Sequence, residues 1–214
     1  MILHFIMKGA FDLFGEALLA YSKGDKTKFF FEDIHGRRYE EEIGKFFRKK
    51  RPYYPNERKI VSLAKGKILE IGCGVGGFIP GLMKKGEVLG IDSSSNMVSI
   101  AKKRGFKNVK QADIFKFKSN EHFDTICLLD ENLGIAETVN GTKILLKRLS
   151  NLLKEDGQIL ANVENVKGKY SIWKARCLYK NKKGKYFRWI KFNSDYLKKL
   201  CNEQKLNFED MQLE

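Results

Sequence analysis

Several residue types and patterns that would mark other protein classes are scarce or absent in this 214-residue chain. It holds three prolines, three histidines and four cysteines. The cysteines form no C-x-x-C pair and fit no zinc spacing, so we expect no metal site, and we expect free thiols in a reducing cytoplasm. No apolar run approaches the roughly 20 residues that a membrane span needs, so we expect no membrane insertion.

Acidic residues are in deficit. Lys and Arg number 41 against 26 Asp and Glu, which gives a net charge of +15. Such an excess favours a polyanion partner, nucleic acid above all. The alternative is compositional, because most of the basic residues are lysine, as an AT-rich genome would give, whereas base-reading surfaces favour arginine. A nucleic-acid partner stays open on charge alone, and no motif indicates one.

Hydrophobic residues make up 43% of the chain, enough for a folded core. From Asn56 onward, short apolar runs alternate with amphipathic stretches, a pattern typical of an α/β fold with a doubly wound, mainly parallel sheet. Residues 1–55 differ: an amphipathic helix precedes an aromatic, basic stretch. We therefore expect a helical lid over residues 1–55 and a cofactor-binding domain over 56–214.

A glycine-rich turn is the strongest local pattern. Glu70-Ile71-Gly72-Cys73-Gly74-Val75-Gly76-Gly77 leaves a predicted strand and opens a predicted helix. Glycines at such a junction let the backbone turn tightly and let a ligand lie against it. The spacing satisfies both G-x-G-x-x-G, a dinucleotide pattern, and G-x-G-x-G preceded by an acid, so the turn alone leaves the ligand open.

Acidic residues follow the next strands. Asp92 closes the second predicted strand, where a carboxylate can accept hydrogen bonds from both ribose hydroxyls. Asp113 follows the third, where it can accept from an adenine amino group. Asp130 and Glu131 follow the fourth, at the edge where open α/β sheets bind ligands. The alternative for Asp92 is a helix cap, but Ser94 is better placed for that.

Together these elements resemble the class I S-adenosylmethionine (SAM)-dependent methyltransferase family, over about residues 56–204. The resemblance implies a Rossmann-like fold and SAM as cofactor, with S-adenosylhomocysteine (SAH) as product. It places Glu70 at the methionine end, Asp92 on the ribose, and Asp113 with Ile114 around the adenine. The residues expected to bind the cofactor are Glu70, Gly72, Cys73, Gly74, Gly76, Asp92, Ser93, Met97, Asp113, Ile114 and Leu129.

The methyl acceptor is not indicated by any motif. Neither an N/D-P-P-Y sequence nor a Pro-Cys pair occurs, which disfavours two kinds of base methylation. On the acceptor side we place Glu131, Tyr53 and Tyr54 as catalytic candidates. Three hypotheses remain: a methyltransferase for a small molecule, which we favour slightly, one for RNA or protein, and a SAM-fold or nucleotide-binding module without catalysis.

The end of the chain is short for the family. We expect strands at Trp173–Tyr179 and Tyr186–Phe192 to form a hairpin inserted before the last helix, covering the cleft or a sheet edge. The segment Asn207–Glu214 offers only one further strand. We therefore expect a six-stranded parallel core that includes it, and either a homodimer or a longer native chain to protect the fifth strand, with a monomer as the alternative.

Overall fold

The computed structural model describes residues 9–48 and 53–211. Residues 1–8, 49–52 and 212–214 lie outside this part. Along the chain the elements are α1 (Asp12–Ser22), β1 (Phe29–Asp33), β2 (Arg38–Glu41), a 3₁₀ helix (Ile43–Phe47), α2 (Pro55–Leu63), β3 (Gly66–Ile71), α3 (Ile79–Leu82), β4 (Gly86–Asp92), α4 (Ser95–Lys103), β5 (Val109–Gln111), β6 (Phe123–Leu128), a second 3₁₀ helix (Asn132–Ala136), α5 (Val139–Ser150), β7 (Leu153–Ala161), β8 (Tyr170–Tyr179), β9 (Lys182–Phe192) and α6 (Ser194–Glu203).

A five-stranded parallel sheet forms the centre, in the order β5-β4-β3-β6-β7. Its middle strands are apolar because helices cover both faces, and Ile68, Leu69 and Ile126 are fully buried. The α/β fold with a mainly parallel sheet is therefore confirmed. Since parallel strands present their carboxyl ends at one edge, the loops after β3, β4, β5 and β6 meet there.

A second, antiparallel sheet has the order β2-β1-β8-β9. It joins the N-terminal segment to the hairpin, since β1 pairs with β8 in the register Phe29↔Tyr179. One face packs on α1 through Phe14, Ala17 and Leu18. The N-terminal segment thus contains the predicted helix but also two strands. The hairpin does not pair with β7, as expected, and instead pairs with β1, a strand that the sequence had not indicated. The domain boundary near residue 55 stays a prediction.

One expectation about the C-terminal part is wrong. The parallel core has five strands, because residues 207–211 form no strand; residues 212–214 lie outside the described part. Leu206 and Phe208 instead pack on the core beside α6, where they bury apolar area without pairing in the sheet. Gly157 lies inside β7, at an irregular register against β6.

No helix in the described ranges is long and apolar enough to cross a membrane.

Candidate cofactor and acceptor site

The glycine turn follows β3 with three glycines at positive φ: Gly72 at 70°, Gly74 at 54° and Gly76 at 81°. A Cβ on Gly72 would lie 2.3 Å from Asn132 Nδ2, and one on Gly76 would lie 2.5 Å from the Phe106 ring. A Cβ on Gly74 would meet nothing within 4 Å. Gly72 and Gly76 therefore serve close packing, whereas Gly74 faces open space that a ligand can fill.

Asn132 fixes this turn to the loop after β6. Its Nδ2 donates to the carbonyl oxygens of Ile71 and Gly72, at 3.1 Å each. Asn132 belongs to the segment Asn132-Leu133-Gly134 after β6, and no role had been predicted for it from the sequence. Cys73 is buried beneath the turn, where burial raises the pKa of its thiol, so its side chain is a packing group.

Glu70 is the acidic residue of the turn and is 1% exposed. Within the part of the chain that the structure describes, its Oε2 is buried with no hydrogen-bond partner. Burial raises the pKa of Glu70 well above its usual value, and the carboxylates of Asp130 and Asp92 raise it further. A buried acceptor without a partner is costly, and a cationic ligand group would remove that cost.

Asp92 ends β4 beside the turn. Its Oδ2 accepts from Gly74 N–H at 2.9 Å and its Oδ1 from Ser94 N–H at 2.8 Å, while burial raises its pKa. A carboxylate has about four acceptor positions, so lone pairs remain for ribose hydroxyls. Ser94 caps α4, as expected, by accepting from Met97 N–H at 3.4 Å. Ser93 is exposed next to Asp92.

Met97 and the residues after β5 complete the cofactor set. Met97 is buried against the α1 cluster, a packing position. Ala112 N–H donates to the Asp92 carbonyl at 2.9 Å, which brings the loop after β5 next to Asp92. In that loop Asp113 is half-buried and accepts from Phe115 N–H at 2.9 Å, while Ile114 is buried.

The chain after β6 is strained. Leu129 is buried, while Asp130 and Glu131 have φ of 53° and 59°. Left-handed non-glycine residues concentrate at functional sites. Asp130 is 41% exposed, yet desolvation by the surrounding protein raises its pKa to about 6, against the opposing effect of Arg48. Glu131 lies 3.7 Å from Lys191 Nζ.

Tyr53 and Tyr54 differ in their contacts and in their exposure to solvent. Tyr53 stacks on Phe78, and its hydroxyl donates towards the Gly77 and Phe78 carbonyls at 3.3 Å and accepts from Gly81 N–H at 3.2 Å. Tyr53 therefore ties the link before α2 to the helix after the glycine turn. Tyr54 is 51% exposed, and its N–H donates to Glu57 at 2.7 Å. The catalytic roles of both tyrosines stay predictions.

Arg48 lies close to the loop after β6, and no role had been predicted for it from the sequence. Its Nη2 is 2.5 Å from Glu57 Oε1 and 3.4 Å from Asp130 Oδ1. No motif marks it, because it precedes Glu70 by 22 residues and comes from the N-terminal segment. Only the fold brings it to the end of β6.

Comparison with known proteins gives consistent matches. A family model described as a methyltransferase domain matches residues 63–211. A protein of Methanocaldococcus jannaschii is 32% identical over 129 residues, 59% of each chain, and a methyltransferase-named protein of Geobacillus sp. (strain WCH70) is 31% identical over 107 residues, 46% of this chain and 42% of that one. The matched regions thus span about half the length of these curated relatives.

One solved structure superposes over nearly the whole chain. It is a SAM-dependent methyltransferase from Bacteroides fragilis in complex with SAH, with a TM-score of 0.81, 22% identity, and coverage of 97% of this chain and 93% of that chain. At that identity the likeness concerns the fold. With the family model covering most of the chain, this protein belongs to the class I SAM-dependent methyltransferase family.

Proposed function

We propose that this protein transfers the methyl group of SAM to a small-molecule acceptor held between the glycine turn and the antiparallel sheet. The observation that carries the cofactor assignment is the pairing of open space at Gly74 with the unpartnered, buried Oε2 of Glu70. Both features support a ligand that lies along the turn and brings a cationic group to Glu70.

The residues present fit SAM at each of its parts. Glu70 would accept from the methionine ammonium, Asp92 would accept from the ribose hydroxyls, and Asp113 with Ile114 would flank the adenine. When bound, the cofactor supplies an electrophilic methyl group on a sulfonium, so the protein needs chiefly to align the acceptor and receive its proton.

The size of the acceptor follows from what covers the crevice. A Cβ on Gly134, in the 3₁₀ helix after β6, would lie 2.2 Å from Trp189 Nε1, so the β9 indole lies directly on that helix. A Cβ on Gly77 would lie 2.8 Å from the Phe46 carbonyl oxygen of the N-terminal segment. With both sides covered, the space near Asp130 suits a small molecule better than a polymer.

The proton of the acceptor is assigned to Asp130 in this proposal, with Glu131 as the second candidate. A carboxylate with a pKa of about 6 is a stronger base than an ordinary aspartate and is still ionised at pH 7. Glu131 is neutralised in part by Lys191. The four free, buried cysteines suit a reducing compartment, and the cytoplasm remains the proposed location.

Methyl transfer from radiolabelled SAM to fractionated cell extract tests the acceptor class. We expect label in the small-molecule filtrate, dependent on Asp92, and no label in RNA or protein. Label found in RNA, together with binding that weakens steeply with salt, would favour the basic-surface alternative. Cofactor binding without label in any fraction would favour a non-catalytic module.

A further inference from the structure

Arg48 occupies a strained position on the glycine turn. It follows the 3₁₀ helix Ile43–Phe47 with φ of 50°, in the left-handed region. A Cβ on Gly77 would lie 3.1 Å from Arg48 Cγ, so the arginine stem lies against the turn. Arg104 holds this arrangement, because it donates to the Phe47 carbonyl at 2.7 Å and to the Val75 carbonyl at 2.5 Å.

The guanidinium of Arg48 is buried but incompletely paired. Its side chain is 7% exposed, and its plane lies over the Phe78 ring at 4.7 Å. Nη2 is bonded to Glu57, while Nη1 is buried without a hydrogen-bond partner in the described ranges. A buried cationic donor left unpaired costs more than a neutral one, so its retention here calls for an anionic partner.

Asp130 interacts with both Arg48 and Glu70. Asp130 Oδ1 lies 3.4 Å from Arg48 Nη2, and the charge of Asp130 acts on Glu70. Asp130 therefore interacts with two groups of opposite character that are incompletely paired in the described ranges: a carboxyl oxygen that lacks a donor and a guanidinium nitrogen that lacks an acceptor. An α-amino acid carries the matching pair, an ammonium and a carboxylate.

We propose that Arg48 binds the carboxylate of the methionine moiety of SAM, opposite Glu70, so that the N-terminal segment supplies part of the cofactor site. This inference rests on the proposed function, since it requires SAM in the crevice. The unpaired Nη1 of Arg48 suits a carboxylate, because a guanidinium N–H donates a charge-assisted hydrogen bond to an ionised carboxylate oxygen.

Two ligands that differ in the amino-acid moiety test the proposal. SAH carries it, and 5′-methylthioadenosine lacks it. Calorimetric titration of both into the wild type and R48Q should show SAH affinity reduced about 10- to 100-fold in the variant, the loss of one charged contact. Methylthioadenosine affinity should stay within about 2-fold, because that ligand never contacts Arg48.

R104Q is the matched control, since Arg104 anchors the same segment through backbone carbonyls alone. It should weaken both ligands by similar factors. R48K keeps the charge beside Glu57 and Asp130 but lacks the second nitrogen that corresponds to Nη1, so it should fold and give an intermediate loss for SAH only. Equal losses for both ligands in R48Q and R48K, or no loss in either, would overturn the role of Arg48. Wild type that binds neither ligand would overturn the proposed function and this inference with it.

Discussion

Alanine at Gly74 and at Gly72 should separate ligand binding from folding. Both glycines have positive φ, so either substitution places an L residue in the left-handed region, at a cost of about 1–2 kcal/mol in the free energy of unfolding. At Gly74 the new methyl meets no protein atom within 4 Å. The stability loss there should therefore stay near that value.

At Gly72 the new methyl would lie 2.3 Å from Asn132 Nδ2. The amide must move, and its two hydrogen bonds at 3.1 Å are worth about 0.5–1.5 kcal/mol each. G72A should consequently lower the free energy of unfolding by about 2–5 kcal/mol, measured by urea denaturation. G74A should be the more stable of the two variants.

Binding should rank differently from stability. In G74A the methyl enters the space assigned to the cofactor, and such overpacking should weaken SAH about 10- to 100-fold in calorimetry. G168A is the matched control: Gly168 has φ of 77°, and a Cβ there also meets nothing within 4 Å, but it lies in the loop between β7 and β8. It should lose similar stability and keep full SAH affinity. Unchanged SAH affinity in G74A would refute the placement of the cofactor along the turn.

Three further outcomes follow from the site. Burial raises the pKa of Glu70, and an ammonium bound beside it would lower that pKa again, so binding should be coupled to proton release. SAH affinity should therefore rise with pH, and titration in buffers of different ionisation enthalpy should show proton release that E70Q abolishes. A binding enthalpy independent of the buffer would contradict this coupling. The turnover rate should rise with pH through about pH 6 as Asp130 ionises. D130N should remove this rise, whereas E131Q should keep it. An unchanged pH profile in D130N would exclude Asp130 as the group that receives the proton. Hydrogen exchange should slow in peptides of residues 9–48 when SAH binds, and no gain in protection there would refute the lid.

The parallel core could be predicted because its strands carry their own evidence. The β6 strand ends in the buried apolar residues Ile126, Cys127 and Leu128, and the turn after β3 is marked by glycines whose positive φ the structure confirms. Asp92 and Asp113 followed from the rule that ligand groups gather at the carboxyl ends of parallel strands. Each of these inferences depended on residues close together in the chain.

The rest depended on long-range packing. Strand β1 holds three consecutive phenylalanines with no clean alternation, so only its pairing with β8, almost 150 residues later, defines it as a strand. Arg48 reaches Asp130 across 82 positions, a contact that no local pattern encodes. Residues 207–211 have the length of a strand but bury Phe208 on the core instead of pairing.

Calorimetric titration of SAH into the wild type and into D92A tests the cofactor assignment most directly. We expect micromolar affinity for SAH, about −8 kcal/mol, in the wild type. We expect a loss of about 1–3 kcal/mol in D92A, because the ribose hydroxyls lose the acceptor that now lies beside Gly74 N–H. Tight binding of NADH with no response to SAH, or equal SAH affinity in both proteins, would contradict the assignment.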